Sequence, residues 1–123
     1  MPEKKILVID DDREFTDELQ EMLSLSGYEV SVVNDSNNAV KAARNGKPDV
    51  ILLDMRMNGP NGYEVTLKLK QFPETLKIPI IAMTGHYNAE TFGLKMMYGE
   101  EKSLKKPFSP LDVISKIEKN LKY

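Results

Sequence analysis

The chain has no cysteine, which excludes disulfides and thiolate metal sites and fits a reducing compartment. His86 is the only histidine, so a histidine-rich metal site is excluded as well. Net charge is small, −2, and nothing draws the molecule as a whole to nucleic acid or an anionic membrane. No apolar run approaches the roughly 20 residues that a membrane helix needs. The first run, Ile6 to Ile9 after Met-Pro-Glu-Lys-Lys, is too short for a secretory signal. Repeats, low-complexity segments and linkers are missing too. The expectation is a cytoplasmic chain with no membrane and no direct nucleic-acid partner.

What is there is ordinary in bulk: 123 residues, 41% hydrophobic and 29% charged, read as one domain over residues 1–123 with a real core. The informative stretch is residues 50–62. Val50 to Leu53 run straight into Asp54, and a turn with Gly59, Pro60 and Gly62 follows. A short apolar run bounded by turn residues reads as a strand buried on both faces. Asp54 then stands where that strand leaves the sheet, the place where open α/β sheets bind ligands. The plainer reading is a turn cap.

The pattern repeats along the chain. Ile6-Leu7-Val8-Ile9 stops at Asp10-Asp11-Asp12, and Phe15, Leu19, Met22 and Leu23 then mark one face of a helix. Asp11 or Asp12 can cap that helix, and Gly27 ends it. Tyr28 to Val33 reads as a strand. Ser36 is expected to cap a helix to about Arg44, closed by Asn45-Gly46 and Pro48. Residues 62–72 make a helix with Val65, Leu69 and Phe72 inward. Ile78 to Met83 is a strand ending at Thr84, with Pro79 near its start. Residues 88–98 read as a weaker helix, with Gly93 in the middle. A short strand over 102–105 ends at Lys106-Pro107. Ser109-Pro110-Leu111-Asp112 is a capping box for a last helix carrying Val113, Ile114, Ile117 and Leu121. Strand and helix alternate five times, which means an α/β fold with a parallel sheet covered on both faces. The choice is a flavodoxin-like (βα)5 doubly wound fold with a five-stranded sheet in order 2-1-3-4-5.

Four strands therefore end on Asp10 and Asp11, Asp54, Thr84 and Lys106, along one edge of the sheet. Two like charges 4 Å apart repel by about 4 kcal/mol at an effective dielectric near 20. Crowded carboxylates call for a positive charge between them, and oxygen donors alone suit a hard cation, Mg²⁺ before Ca²⁺. A metal, a lysine and a hydroxyl around a carboxylate suit phosphoryl transfer, with the carboxylate itself as nucleophile. Taken singly, each feature has a plainer explanation: a helix cap, a turn threonine, a solvated lysine. Their placement at four neighbouring strand ends is what favours a site.

These residues carry a resemblance. Ile-Leu-Val-Ile-Asp10-Asp11-Asp12, the buried strand into Asp54, Ala82-Met83-Thr84-Gly85 and Lys105-Lys106-Pro107-Phe108 together resemble the receiver domain of two-component response regulators, over essentially the whole chain. The resemblance implies that Asp54 is the phosphoacceptor. It implies Mg²⁺ (or Mn²⁺) held by Asp10, Asp11, Asp54 and the backbone carbonyl of Arg56, with Asp11 the direct ligand and Asp10 partly through water. Thr84 and Lys106 would bond the phosphoryl group, and the Lys106-Pro107 bond would be cis. The donor would be a phosphohistidine on a sensor histidine kinase or phosphotransfer protein. A downstream effector or output domain would read the change, with a phosphorylation-dependent homodimer as one form. The protein would be a signalling phosphoacceptor and not an enzyme in the usual sense.

Two positions depart from the family pattern. Asn58 stands where the family usually has proline, which is expected to loosen the loop. Ser103 stands where the family usually has Tyr or Phe, which puts the usual aromatic switch in doubt. The hypothesis is then that signalling runs through helix 88–98, where Phe92, Met96, Met97 and Tyr98 could repack; hydrogen exchange with and without phosphorylation checks it. Arg56 and His86 flank the site and are expected to lengthen the life of the acyl phosphate, which Arg56→Asn checks. The competing class is a phosphorylation-independent interaction module on the same fold. A haloacid-dehalogenase-type phosphatase would need an acid where Arg56 stands, and a flavin binder would need a phosphate-cradling loop where Asp10-Asp11-Asp12 stand.

Overall fold

The computed structural model describes residues 3–85 and 102–121. Its centre is β3 (Val50–Asp54), every residue of which is buried. β1 (Lys5–Ile9) lies on one side of it and β4 (Ile80–Thr84) on the other. β2 (Glu29–Val33) and β5 (Ser103–Lys105) form the edges, giving a parallel sheet in the order β2-β1-β3-β4-β5. This is the flavodoxin-like order expected from the sequence.

Side chains alternate across a strand, so each central strand feeds two cores. Leu7, Ile9, Ile51, Leu53, Ile80 and Ala82 face α2 (Ala39–Gly46) and α3 (Gly62–Leu69), whose Ala39, Ala43, Val65 and Leu69 complete that core. Ile6, Val8, Val50, Leu52, Ile81 and Met83 face α1 (Arg13–Leu25) and α4 (Pro110–Leu121). Leu19, Leu23, Val113 and Ile117 close that side. Each fully buried Leu or Ile contributes about 1.5–3 kcal/mol.

The helix ends show how local chemistry competes. Asp12 caps α1 by accepting from the Phe15 amide, and Gly27 takes φ +96 just beyond the helix. Ser36 is not the cap expected before α2. Asp35 accepts from the Asn37 amide and opens a 3₁₀ turn, Ser36–Asn38, while the Ser36 hydroxyl donates to the Asn58 carbonyl. The left-handed residue that closes α2 is Lys47 (φ 48), since Pro48 disfavours right-handed helix in the residue before it. α3 stops at Leu69 and does not reach 72: Pro73 acts on Phe72 in the same way, and the Gln71 and Phe72 amides tighten to i−3 carbonyls. The buried Thr75 hydroxyl then donates to the Leu69 carbonyl. At α4 the capping box is present, Asp112 N–H to Ser109 Oγ and Ser109 N–H to Asp112 Oδ2. The expected helix over 88–98, with Gly93, Phe92, Met96, Met97 and Tyr98, lies outside the described residues, as does His86.

Candidate functional site

β1, β3 and β4 end side by side because their registers match, with Ile9 opposite Leu53 and Asp54 opposite Met83. Asp10 and Asp11 follow β1, Asp54 ends β3, Thr84 ends β4 and Lys106 follows β5. One carboxylate oxygen from each of Asp10, Asp11 and Asp54 lies within 4.8 Å of the others. Lys106 Nζ sits 2.5 Å from Asp10 Oδ2 and 3.9 Å from Asp54 Oδ1. The expected acids and the lysine therefore meet in one place. Thr84 is buried at the neighbouring strand end, where its carbonyl accepts from the Lys106 amide. Arg56 contributes its amide to Asp54 Oδ1 at 3.2 Å, and its residue is exposed. The Lys106–Pro107 peptide is cis.

The acids differ in setting. Asp10 is fully buried, held by the Lys106 ammonium and by the Asp12 amide on its Oδ1. Asp11 is half-buried, and its Oδ2 accepts from the Asn58 amide at 2.9 Å. That bond reverses the expectation for Asn58: a proline has no N–H to give, so asparagine ties the loop to Asp11 instead of loosening it. Asp54 is pushed from 3.8 up to about 7, mainly by burial. The Asp10 charge and a hydrogen bond with Asp10, which only a protonated Asp54 can donate, push the same way. Lys106 and the Arg56 amide oppose the shift and do not cancel it.

Four supporting residues were not read from the sequence as part of the site: Asn34 and Thr16 were not named, Gly62 counted as a turn residue and Phe15 as core. Asn34 Nδ2 donates to the Asp10 carbonyl (2.8 Å) and to Thr16 Oγ1 (3.0 Å), which fixes the chain leaving β1. Thr16 is itself fully buried. Gly62 opens α3 against the site: a Cβ there would stand 2.7 Å from Met55 Cα and 2.8 Å from the Asp54 carbonyl oxygen. The Phe15 ring lies under the Lys106 ammonium, 4.3 Å from its centroid, although from the sequence it counted only as core. Of these, Gly62 in the turn after Asp54 was the one legible signal.

Among the described residues the donor set fits a hard divalent cation: the converging ligands are all carboxylate oxygens, three acids against one adjacent lysine. A model of the family described as "Response regulator receiver domain" matches residues 6–118. The chain belongs to that family. It is the receiver unit of two-component signalling, a signalling domain and not a classical enzyme. Receiver domains generally depend on Mg²⁺, and response regulators partner with sensor kinases.

Among curated relatives, this receiver is 36% identical over 115 residues to the alkaline phosphatase synthesis transcriptional regulatory protein PhoP of Bacillus subtilis, covering 94% of this chain and 47% of the relative. It is 29% identical to the DNA-binding response regulator MtrA of Mycobacterium tuberculosis, covering 97% of this chain and 51% of the relative. The chain thus spans about half the length of these relatives. Among solved structures, the chemotaxis protein CheY4 of Vibrio cholerae superposes with a TM-score of 0.87 at 25% identity, over 98% of this chain and 100% of that one. A CheY-like receiver domain protein from Methanospirillum hungatei gives 0.85 at 25% identity, over 98% and 94%. Among the described residues, no helix of this receiver is long and apolar enough to cross a membrane.

Proposed function

We propose that this receiver takes a phosphoryl group from a phosphohistidine onto Asp54 and signals through the resulting change in shape. The observation that carries this reading is the convergence of Asp10, Asp11 and Asp54 within 4.8 Å beside Lys106. An Asp54 carboxylate oxygen attacks the phosphorus, the O–P bond forms and the N–P bond of the donor breaks. The imidazole nitrogen keeps the electron pair and takes a proton, and Asp54 becomes an acyl phosphate. Lys106 lies close enough to Asp54 to pair with the phosphoryl oxygens, and the Thr84 hydroxyl donates to one of them. Asp10, Asp11, Asp54 and the Arg56 backbone carbonyl would hold Mg²⁺ (or Mn²⁺). When bound, the cation supplies the charge that lets Asp54 ionise and that offsets the phosphoryl oxygens.

The donor is a sensor histidine kinase or a phosphotransfer protein, in the cytoplasm. The reader is a downstream effector or an output domain, with dimerisation as one response. PhoP and MtrA are named as a transcriptional regulator and a DNA-binding regulator, which supports an output exerted beyond the receiver unit. One observation favours a second reading, an interaction module that works without phosphorylation. Ser103, small and buried, stands where the family usually has an aromatic ring.

Intact mass after incubation with Mg²⁺ and acetyl phosphate tests the first reading. One added phosphoryl group is expected on wild type, and none on Asp54→Ala or with EDTA. Wild type that stays unmodified with both acetyl phosphate and a phosphohistidine donor moves the assignment to the interaction module.

A further inference from the structure

Lys106 has more than carboxylates around it. Its ammonium lies 4.3 Å from the centroid of the Phe15 ring, on the first turn of α1. That ring is itself set edge-on to Phe108, with centroids 5.8 Å apart and planes at 78°. Phe108 is two residues after Lys106, so the Lys106-Pro107-Phe108 segment folds around the Phe15 ring. The lysine side chain is 22% exposed. Without the ring, its four-carbon stem has free directions into solvent. With the ring, the ammonium is bounded by Asp10 at 2.5 Å, by the ring face and by Asp54 Oδ1 at 3.9 Å.

We infer that Phe15 is a positioning residue for phosphoryl transfer: its ring face holds the Lys106 ammonium between Asp10 and the Asp54 carboxylate. This rests on the reading of Asp54 as phosphoacceptor. The attraction is that of a cation for the negative face of an aromatic ring, and it gains strength where water is partly excluded. An aliphatic side chain of similar bulk fills the space without that attraction. The T-shaped contact with Phe108 keeps the Phe15 face turned to the lysine. Lys106 can then turn from Asp10 to the phosphoryl oxygens as the O–P bond forms, without first being recovered from solvent.

The test uses acetyl phosphate, a small donor that has no docking surface for Phe15 to serve. Asp54 displaces acetate from it, and intact mass follows the rate. Phe15→Leu is expected to slow phosphorylation about fivefold, the size of one such contact, and Phe15→Tyr is expected to restore the wild-type rate. In a Lys106→Met background, Phe15→Leu is expected to change nothing further. The second readout needs no phosphorylation: in wild type and Phe15→Tyr the Lys106 ε-methylene protons are shifted upfield by the ring, and in Phe15→Leu they return to the position of exposed lysines. Unshifted Lys106 protons in wild type, or a Phe15→Leu rate equal to wild type, overturns the inference while leaving Asp54 as acceptor. Wild type that takes no phosphoryl group from acetyl phosphate or from a phosphohistidine donor overturns the reading of Asp54 and the role of Phe15 in transfer together, even where the proton shift places the ring over the lysine.

Discussion

Asp54 carries a proton more tightly in the folded chain than in the unfolded one, because burial and the Asp10 carboxylate both penalise its charge. The consequence for stability has a definite sign. The folded value, about 7, lies above the ordinary 3.8, so stability is fullest below the unfolded value and falls as pH rises through the folded one. Replacing the acid by a neutral isostere removes that loss. Asp54→Asn is expected to be more stable than wild type by on the order of 2 kcal/mol at pH 8 in metal-free buffer. Near pH 4 the difference should disappear. Urea melts at the two pH values measure it, and equal stability at pH 8 would sink the claim that Asp54 is held against its charge. Asp10 shows the other solution to the same problem. It is fully buried, yet an ammonium and a backbone amide occupy its two oxygens.

The loop from β3 into α3 decides where Asp54 points. Its far end is a capped helix: Asn61 accepts from the Glu64 amide, and Glu64 accepts from the Asn61 amide. The cap sets the helix so close to the strand that residue 62 has no room for a side chain, with Met55 and the Asp54 carbonyl within 3 Å of any Cβ. Both obstacles include backbone, so neither can turn aside. Gly62→Ala is expected to cost about 2–3 kcal/mol, in the range of overpacked cores. It should also slow the proposed phosphorylation of Asp54, since relief of the clash moves the strand end. Urea unfolding and intact-mass rates together check this. Full stability with a normal rate would mean that α3 can slide, and that the tight approach does not position the acid. At its near end the same loop is tied back twice, by Ser36 to the Asn58 carbonyl and by the Asn58 amide to Asp11.

Among the described residues the molecule is two cores sharing one sheet, and the site lies where the strands end. Three acids from two strands are brought within 4.8 Å by folding alone, so their repulsion is present in the folded state and absent in the unfolded one. A cation that binds only the folded arrangement stabilises it by mass action, about 2.7 kcal/mol at a hundred times its dissociation constant. Mg²⁺ at millimolar concentration is expected to raise the Tm of wild type by several degrees at pH 8, and to do so far less for Asp11→Ala. Calorimetry over a Mg²⁺ series reads this directly. A Tm that does not respond to Mg²⁺ would argue against the carboxylates as a metal site.

The sequence by itself determined the order of the described elements, the strand order and the residues at the strand ends. Those features are local: a four-residue apolar run stopped by an acid, a serine and an aspartate three apart, glycines after helices. Where local signals competed, it chose wrongly, as with Ser36 against Asp35 as a cap, or the length of α3 before Pro73. It read Asn58 as a loosened loop, since the worth of an N–H depends on what stands across from it. Only the tertiary structure decided that Lys106 pairs first with Asp10, that Phe15 lies under its ammonium, and that Asn34 holds the Asp10 carbonyl. These partners are far apart along the chain, 96 residues for Lys106 and Asp10 and 24 for Asn34 and Asp10. The physical reason is range. Propensity and periodicity act over a few residues, whereas the charge of a buried acid is set by whatever the fold brings within a few ångströms of it.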